Sequence, residues 1–123
     1  MQRNISKWAR WSLFLYLITL ITVSVMPLGR VSKEITNITV IHLRGDYFFH
    51  MLVYVPILTL MFLSFQKWSW RLFGLALIMA IALEFIQMVL PYRSFNINDL
   101  VANLGGVVLG SLIYPLIIRI TLS

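Results

Sequence analysis

The sequence predicts an all-α membrane protein, a four-transmembrane-helix bundle with both termini cytoplasmic, formed by residues 1–123 as a single domain. Three observations carry this. Sixty per cent of the residues are hydrophobic and 11% are charged. Average soluble domains carry about 25% charged residues, so too little polar surface exists here to coat a water-soluble globule. Uncharged stretches of near-constant length recur at 11–29, 47–66 and 100–118, and 72–92 contains only Glu84. Each approaches the ~20 residues that cross a ~30 Å hydrocarbon layer as a helix. None alternates polar and apolar residues as a transmembrane strand does, and a spanning segment must satisfy its own backbone hydrogen bonds. Helices are therefore expected at about 8–26, 46–66, 69–90 and 98–119. The mean hydropathy of +0.90 also excludes a disordered chain.

Helix one follows Arg3, Lys7 and Arg10 and ends Val23-Ser24-Val25-Met26-Pro27. A cleaved signal peptide would need a small-x-small cleavage site there, so the segment reads as a retained span. The long loop 27–45 contains a β-branched run, Ile35–Leu43, suited to a short strand or to the membrane surface. Asn4-Ile5-Ser6 and Asn37-Ile38-Thr39 match the glycosylation sequon, a pattern short enough to recur by chance. Helix two contains Pro56 and helix four Pro115, each a place for a kink, while Pro91 ends helix three.

Four spans place Arg3, Lys7, Arg10, Lys67, Arg71 and Arg119 on one side and Arg30, Lys33, Arg44 and Arg93 on the other. The basic excess, concentrated before helix one, puts both termini in the cytoplasm. Trp8, Trp11, Trp68 and Trp70 flank helix ends on that side, as an interfacial belt does. The net charge of +6 is sparse and lies between apolar runs, which does not describe the solvated basic face of a nucleic-acid binder. Zero cysteines exclude disulfides, thiol chemistry and cysteine-ligated metal.

The polar residues within the spans are few and concentrated. Asp46, His50 and Tyr54 are spaced at four and share a helical face. Helix three carries Glu84 and Gln87, then leaves the membrane through Pro91, Tyr92 and Arg93; helix four opens with Asn96, Asn98, Asp99 and Asn103. At 1.5 Å per residue, His50 lies about 6 Å below Asp46, Glu84 about 9 Å below Leu90, and Asn103 about 6 Å below Asp99. Three helices thus bring polar groups to one depth, in the outer third of the bilayer.

Intramembrane ionisable residues are costly and usually mark sites, so Asp46, His50, Glu84, Arg93 and Asp99 are the candidate catalytic or ligand-binding set. Arg93 is the expected cationic partner of Glu84, with His50 the other. Tyr54, Gln87 and Asn103 read as supporting polar residues that bond helices together. Gly105, Gly106 and Gly110 read as a helix-packing face. Asp46, His50, Glu84 and Asp99 are metal-type ligands, yet no compact signature such as HExxH is present, and neither a metal nor a cofactor is expected.

These residues together resemble the VanZ-like family of bacterial membrane proteins. The likeness is carried by Asp46-x3-His50-x3-Tyr54, Glu84-x2-Gln87-x3-Pro91-x-Arg93 and Asn98-Asp99-x3-Asn103-x-Gly105-Gly106-x3-Gly110. Tyr47 stands where the family commonly has Lys, and Asn96 where it commonly has an acid. If that acid takes part in chemistry, the departure puts activity in doubt; if it serves only as a helix cap, Asn replaces it well. The resemblance implies a multi-pass protein of the bacterial inner membrane, in a family whose name-giving member is associated with resistance to teicoplanin.

The leading expectation is a cell-envelope protein with an outward-facing polar pocket for a lipid-linked or anionic headgroup. Arg93, helped by Arg44 and Arg30, would hold the anion; membrane lipids and a lipid-linked cell-wall precursor are the expected partners, and nucleic acid is not. An intramembrane enzyme pairing Glu84 or Asp46 with His50 is the alternative, and a small scaffold or transporter subunit is a third. The sequence leaves enzymatic activity and oligomeric state open.

Overall fold

The computed structural model describes residues 2–27, 39–40 and 43–123. It contains four membrane-length apolar stretches, Arg3–Val25, Gly45–Phe65, Trp70–Val89 and Ile97–Ile120. The first belongs to α1, Gln2–Val25. The second is divided into α2, Gly45–Tyr54, and α3, Ile57–Phe65. The third is α4, Trp70–Val89, and the fourth lies in α5, Ile97–Leu122.

α1 starts six residues before the expected boundary near residue 8. Lys and Arg are good helix formers, so the basic N-terminal turns continue the helix past its apolar stretch. The expected strand is present in its described part as a two-residue antiparallel ladder, Thr39 opposite Arg44 and Val40 opposite Leu43. The rest of loop 27–45, including Arg30, lies outside the described residues, as does the side chain of Arg44.

The second span breaks where proline dictates. Pro56 has no N–H to donate to Leu52, and Val55 N–H bonds the Leu52 carbonyl instead, at 3.3 Å. The neighbouring Val53 carbonyl accepts from the Tyr16 hydroxyl of α1 at 2.7 Å. A backbone group at a break inside the bundle thus finds a side-chain partner, as a membrane interior requires. Pro115, by contrast, lies within the uninterrupted assignment of α5.

The core is narrow. Leu13 and Leu20 of α1 meet Tyr54, Ile57, Leu58 and Met61, with Ala76, Ala80 and Leu83 of α4 and Val107 of α5. Large apolar side chains elsewhere point outward, including Ile78, Val89, Leu112 and Ile120. That distribution suits lipid, which needs no polar coat.

α2 and α5 approach closely because α5 offers glycine. A Cβ at Gly106 would collide with the Met51 carbonyl oxygen and lie 2.9 Å from Tyr54 Cβ. A Cβ at Gly110 would collide with the Val55 carbonyl oxygen. Gly105 does not share this face, and a Cβ there meets nothing within 4 Å.

Candidate functional site

Glu84, near the end of α4, is completely buried. One carboxyl oxygen, Oε1, accepts the backbone N–H of Asn96 at 3.3 Å, and Oε2 accepts the side-chain amide of Asn103 at 3.3 Å. Asn96 is also the N-cap of α5, its side chain accepting from Asn98 N–H at 3.0 Å. Asn96 therefore serves as the cap of α5. Asn98 donates in turn to the Tyr47 hydroxyl at 3.3 Å, which ties the start of α5 to α2.

Asn103 joins Glu84 to His50. Its Nδ2 faces the carboxyl, so its Oδ1 faces His50 Nδ1, 2.9 Å away. An amide oxygen only accepts, so Nδ1 must carry the proton. The other ring nitrogen, Nε2, lies 3.8 Å from Asp99 Oδ2, within electrostatic reach and beyond a direct hydrogen bond. The side chains of His50 and Asp99 are 28% and 15% exposed. Glu84, Asn103, His50 and Asp99 thus form one polar chain, dry at the carboxyl and partly open at the imidazole.

This arrangement corrects the expected pairing of Glu84 with His50. An Asn side chain neither gains nor loses a proton under ordinary conditions, so it transmits orientation and blocks direct proton exchange between its neighbours. Among the described residues, the carboxylate that faces the other ring nitrogen of His50 is Asp99, 3.8 Å away.

Arg93 does not pair with Glu84. Its Nη2 donates to the carbonyls of Val23 and Ser24 at 2.9 and 3.2 Å, and its Nε to Ser24 at 3.3 Å. Tyr92 adds a bond from its hydroxyl to the Val25 carbonyl at 2.6 Å. The last carbonyls of a helix lack intrahelical donors and form the negative end of its dipole, which a cation satisfies. Arg93→Ala should therefore lower stability by about 1–2 kcal/mol, with Arg93→Lys recovering part of it. Reversible unfolding in detergent measures this. An unchanged midpoint would remove the capping role.

Tyr54 is 3% exposed and packs beneath the cluster, and Gln87 lies buried one turn beyond Glu84 on α4. Asp46 occupies the first turn of α2, with its Oδ1 on Tyr47 N–H at 3.1 Å. Among the described residues, no three of His, Asp and Glu gather closely enough to hold a metal ion. Sequence reasoning missed Tyr16 and the α1 carbonyls. A lone tyrosine in an apolar run gives little signal, and backbone acceptors give none.

A family model described as VanZ/LLP1 matches residues 5–119, nearly the whole chain. No curated protein and no solved structure matches it.

Proposed function

The chain belongs to the VanZ/LLP1 family, and from that premise we propose a multi-pass protein of the bacterial inner membrane that serves the cell envelope. Its polar cluster faces outward and binds the headgroup of a lipid-linked cell-wall precursor, which links the protein to glycopeptide tolerance. The observation that carries this reading is the chain Glu84–Asn103–His50–Asp99, graded from a dry carboxyl to a partly exposed imidazole. A buried network that holds a histidine in one orientation at an accessible mouth is suited to recognising a polar group.

The cluster is richer in acceptors than in cations, and the Arg93 guanidinium is engaged by α1. The favoured contact is therefore a hydroxyl or amine of the headgroup. Asp99 Oδ2 and His50 Nε2 are close enough for one such group to reach both. In this reading the role expected of Arg93 as an anion clamp passes to positioning α1.

A second reading, an intramembrane acid–base enzyme, is favoured by the proximity of His50 and Asp99. Their 3.8 Å separation can tighten when substrate binds. His50 Nε2 would then move the proton, with Asp99 holding the charged imidazole.

Teicoplanin tolerance of a bacterial host expressing the chain tests the proposal. Tolerance should rise with the native chain and return to baseline with His50→Ala and Glu84→Gln at equal membrane abundance. Tolerance that both variants preserve would contradict it.

A further inference from the structure

The opposite end of the bundle holds a second feature, unrelated to the polar cluster. Arg3, Lys7 and Arg10 follow one another at helical spacing on α1 and share a face. With Ser6 and Gln66 they line a crevice of about 340 Å³ between α1 and the end of α3. That volume falls within the roughly 300–1,000 Å³ of small-ligand sites.

The crevice is built by specific contacts. Arg10 Nε and the Ser6 hydroxyl both donate to the Ser64 carbonyl, each at 3.1 Å, which fastens α1 to the end of α3. Gln66 adopts a left-handed conformation, φ 54°, and donates one amide hydrogen to the Leu63 carbonyl at 2.7 Å. Among the described residues these bonds leave donors uncommitted: the terminal nitrogens of Arg10, the second amide hydrogen of Gln66, and the cations of Arg3 and Lys7. Among the described residues the acids are Asp46, Glu84 and Asp99, all at the other end. Trp8 and Trp11, 73% and 58% exposed, mark this level of α1 as interfacial.

We propose that this crevice binds the phosphate group of an anionic phospholipid from the adjoining leaflet. Three cations without an acidic partner among the described residues form a strong phosphate site, and the Arg10 fork can take two phosphate oxygens at once. The acyl chains would lie along the exposed apolar face of α1.

Native mass spectrometry of the full chain, titrated with phosphatidylglycerol or phosphatidylcholine, tests this. One phosphatidylglycerol should bind in preference to phosphatidylcholine. The Arg3→Ala/Lys7→Ala variant should weaken that binding at least about tenfold. The Lys67→Ala/Arg71→Ala variant removes as much charge from the same end without touching a residue that lines the crevice, and should change it no more than about twofold. Both pairs are exposed, and unchanged helical circular dichroism verifies folding. Inorganic phosphate separates the sources: lipid that resists displacement identifies the headgroup, whereas saturable displacement identifies a phosphate site that also takes the free anion. Equal weakening by both double variants, or no preference for phosphatidylglycerol, overturns the proposal.

Discussion

Replacing Asn103 by leucine should destabilise the bundle by about 1–3 kcal/mol, the cost of stranding the buried Glu84 carboxyl, with a smaller addition from the partly exposed His50. Interhelical hydrogen bonds in membranes average only about 0.6 kcal/mol, because the separated helices find other partners. Asn103 should exceed that average because one substitution removes both of its bonds. Glu84 Oε2 loses its amide donor, and His50 Nδ1 loses its acceptor. Glu84 is fully buried, so water cannot readily replace the donor. Reversible unfolding in mixed detergent measures the loss. A cost near 0.6 kcal/mol would show that the amide bond to Glu84 does not act on a buried group as described.

Gly106→Ala and Gly110→Ala should each destabilise by about 1–3 kcal/mol, the usual cost of overpacking a tight contact. At both positions the new methyl would meet a backbone carbonyl of the second span, which cannot turn aside as a flexible side chain can. The effect should reach the site. Met51, the residue approached by Gly106, follows His50 directly, and Gly106 is three residues beyond Asn103. Forcing α2 from α5 stretches the 2.9 Å contact between His50 and Asn103. Gly105→Ala is the matched control: nothing lies within 4 Å of its Cβ, and helix propensity should stabilise it by about 0.5–1 kcal/mol. Equal effects at Gly105 and Gly106 would refute the close-packing account.

The four spans were legible because lipid demands length and hydrophobicity, and charges at their ends delimit both. The depth of the cluster was legible for a related reason: antiparallel helices of fixed rise bring Asp46, Glu84 and Asp99 to the same end. Pro56 announced its break. The bond from Asn98 N–H shows that Asn96 caps α5, as the capping reading expects of an Asn at that position.

What the sequence hid were partners that depend on three-dimensional neighbours. Arg93 lies close to Glu84 in sequence, but its guanidinium reaches α1 carbonyls some 70 positions away. Backbone carbonyls have no residue signature, so a side-chain search pairs Arg93 with the nearest acid instead. Asn103 looked like ordinary interhelical glue until both ends of its amide found different partners. The Gly105–Gly106 pair is similar: adjacent residues point about 100° apart on a helix, and only the neighbouring helix reveals which one is needed.

The central claim is that Glu84, through Asn103, sets the orientation and protonation of His50. Imidazole ¹⁵N NMR of His50 in the membrane-embedded chain tests it most directly. In the native chain Nδ1 should be protonated. In Glu84→Gln, with the Gln oxygen on Asn96 N–H, the amide hydrogens face Asn103. Asn103 must then turn its oxygen toward position 84 and its NH₂ toward His50, which moves the imidazole proton to Nε2. A native His50 with bare Nδ1 and protonated Nε2, or a tautomer unchanged by Glu84→Gln, would contradict the account.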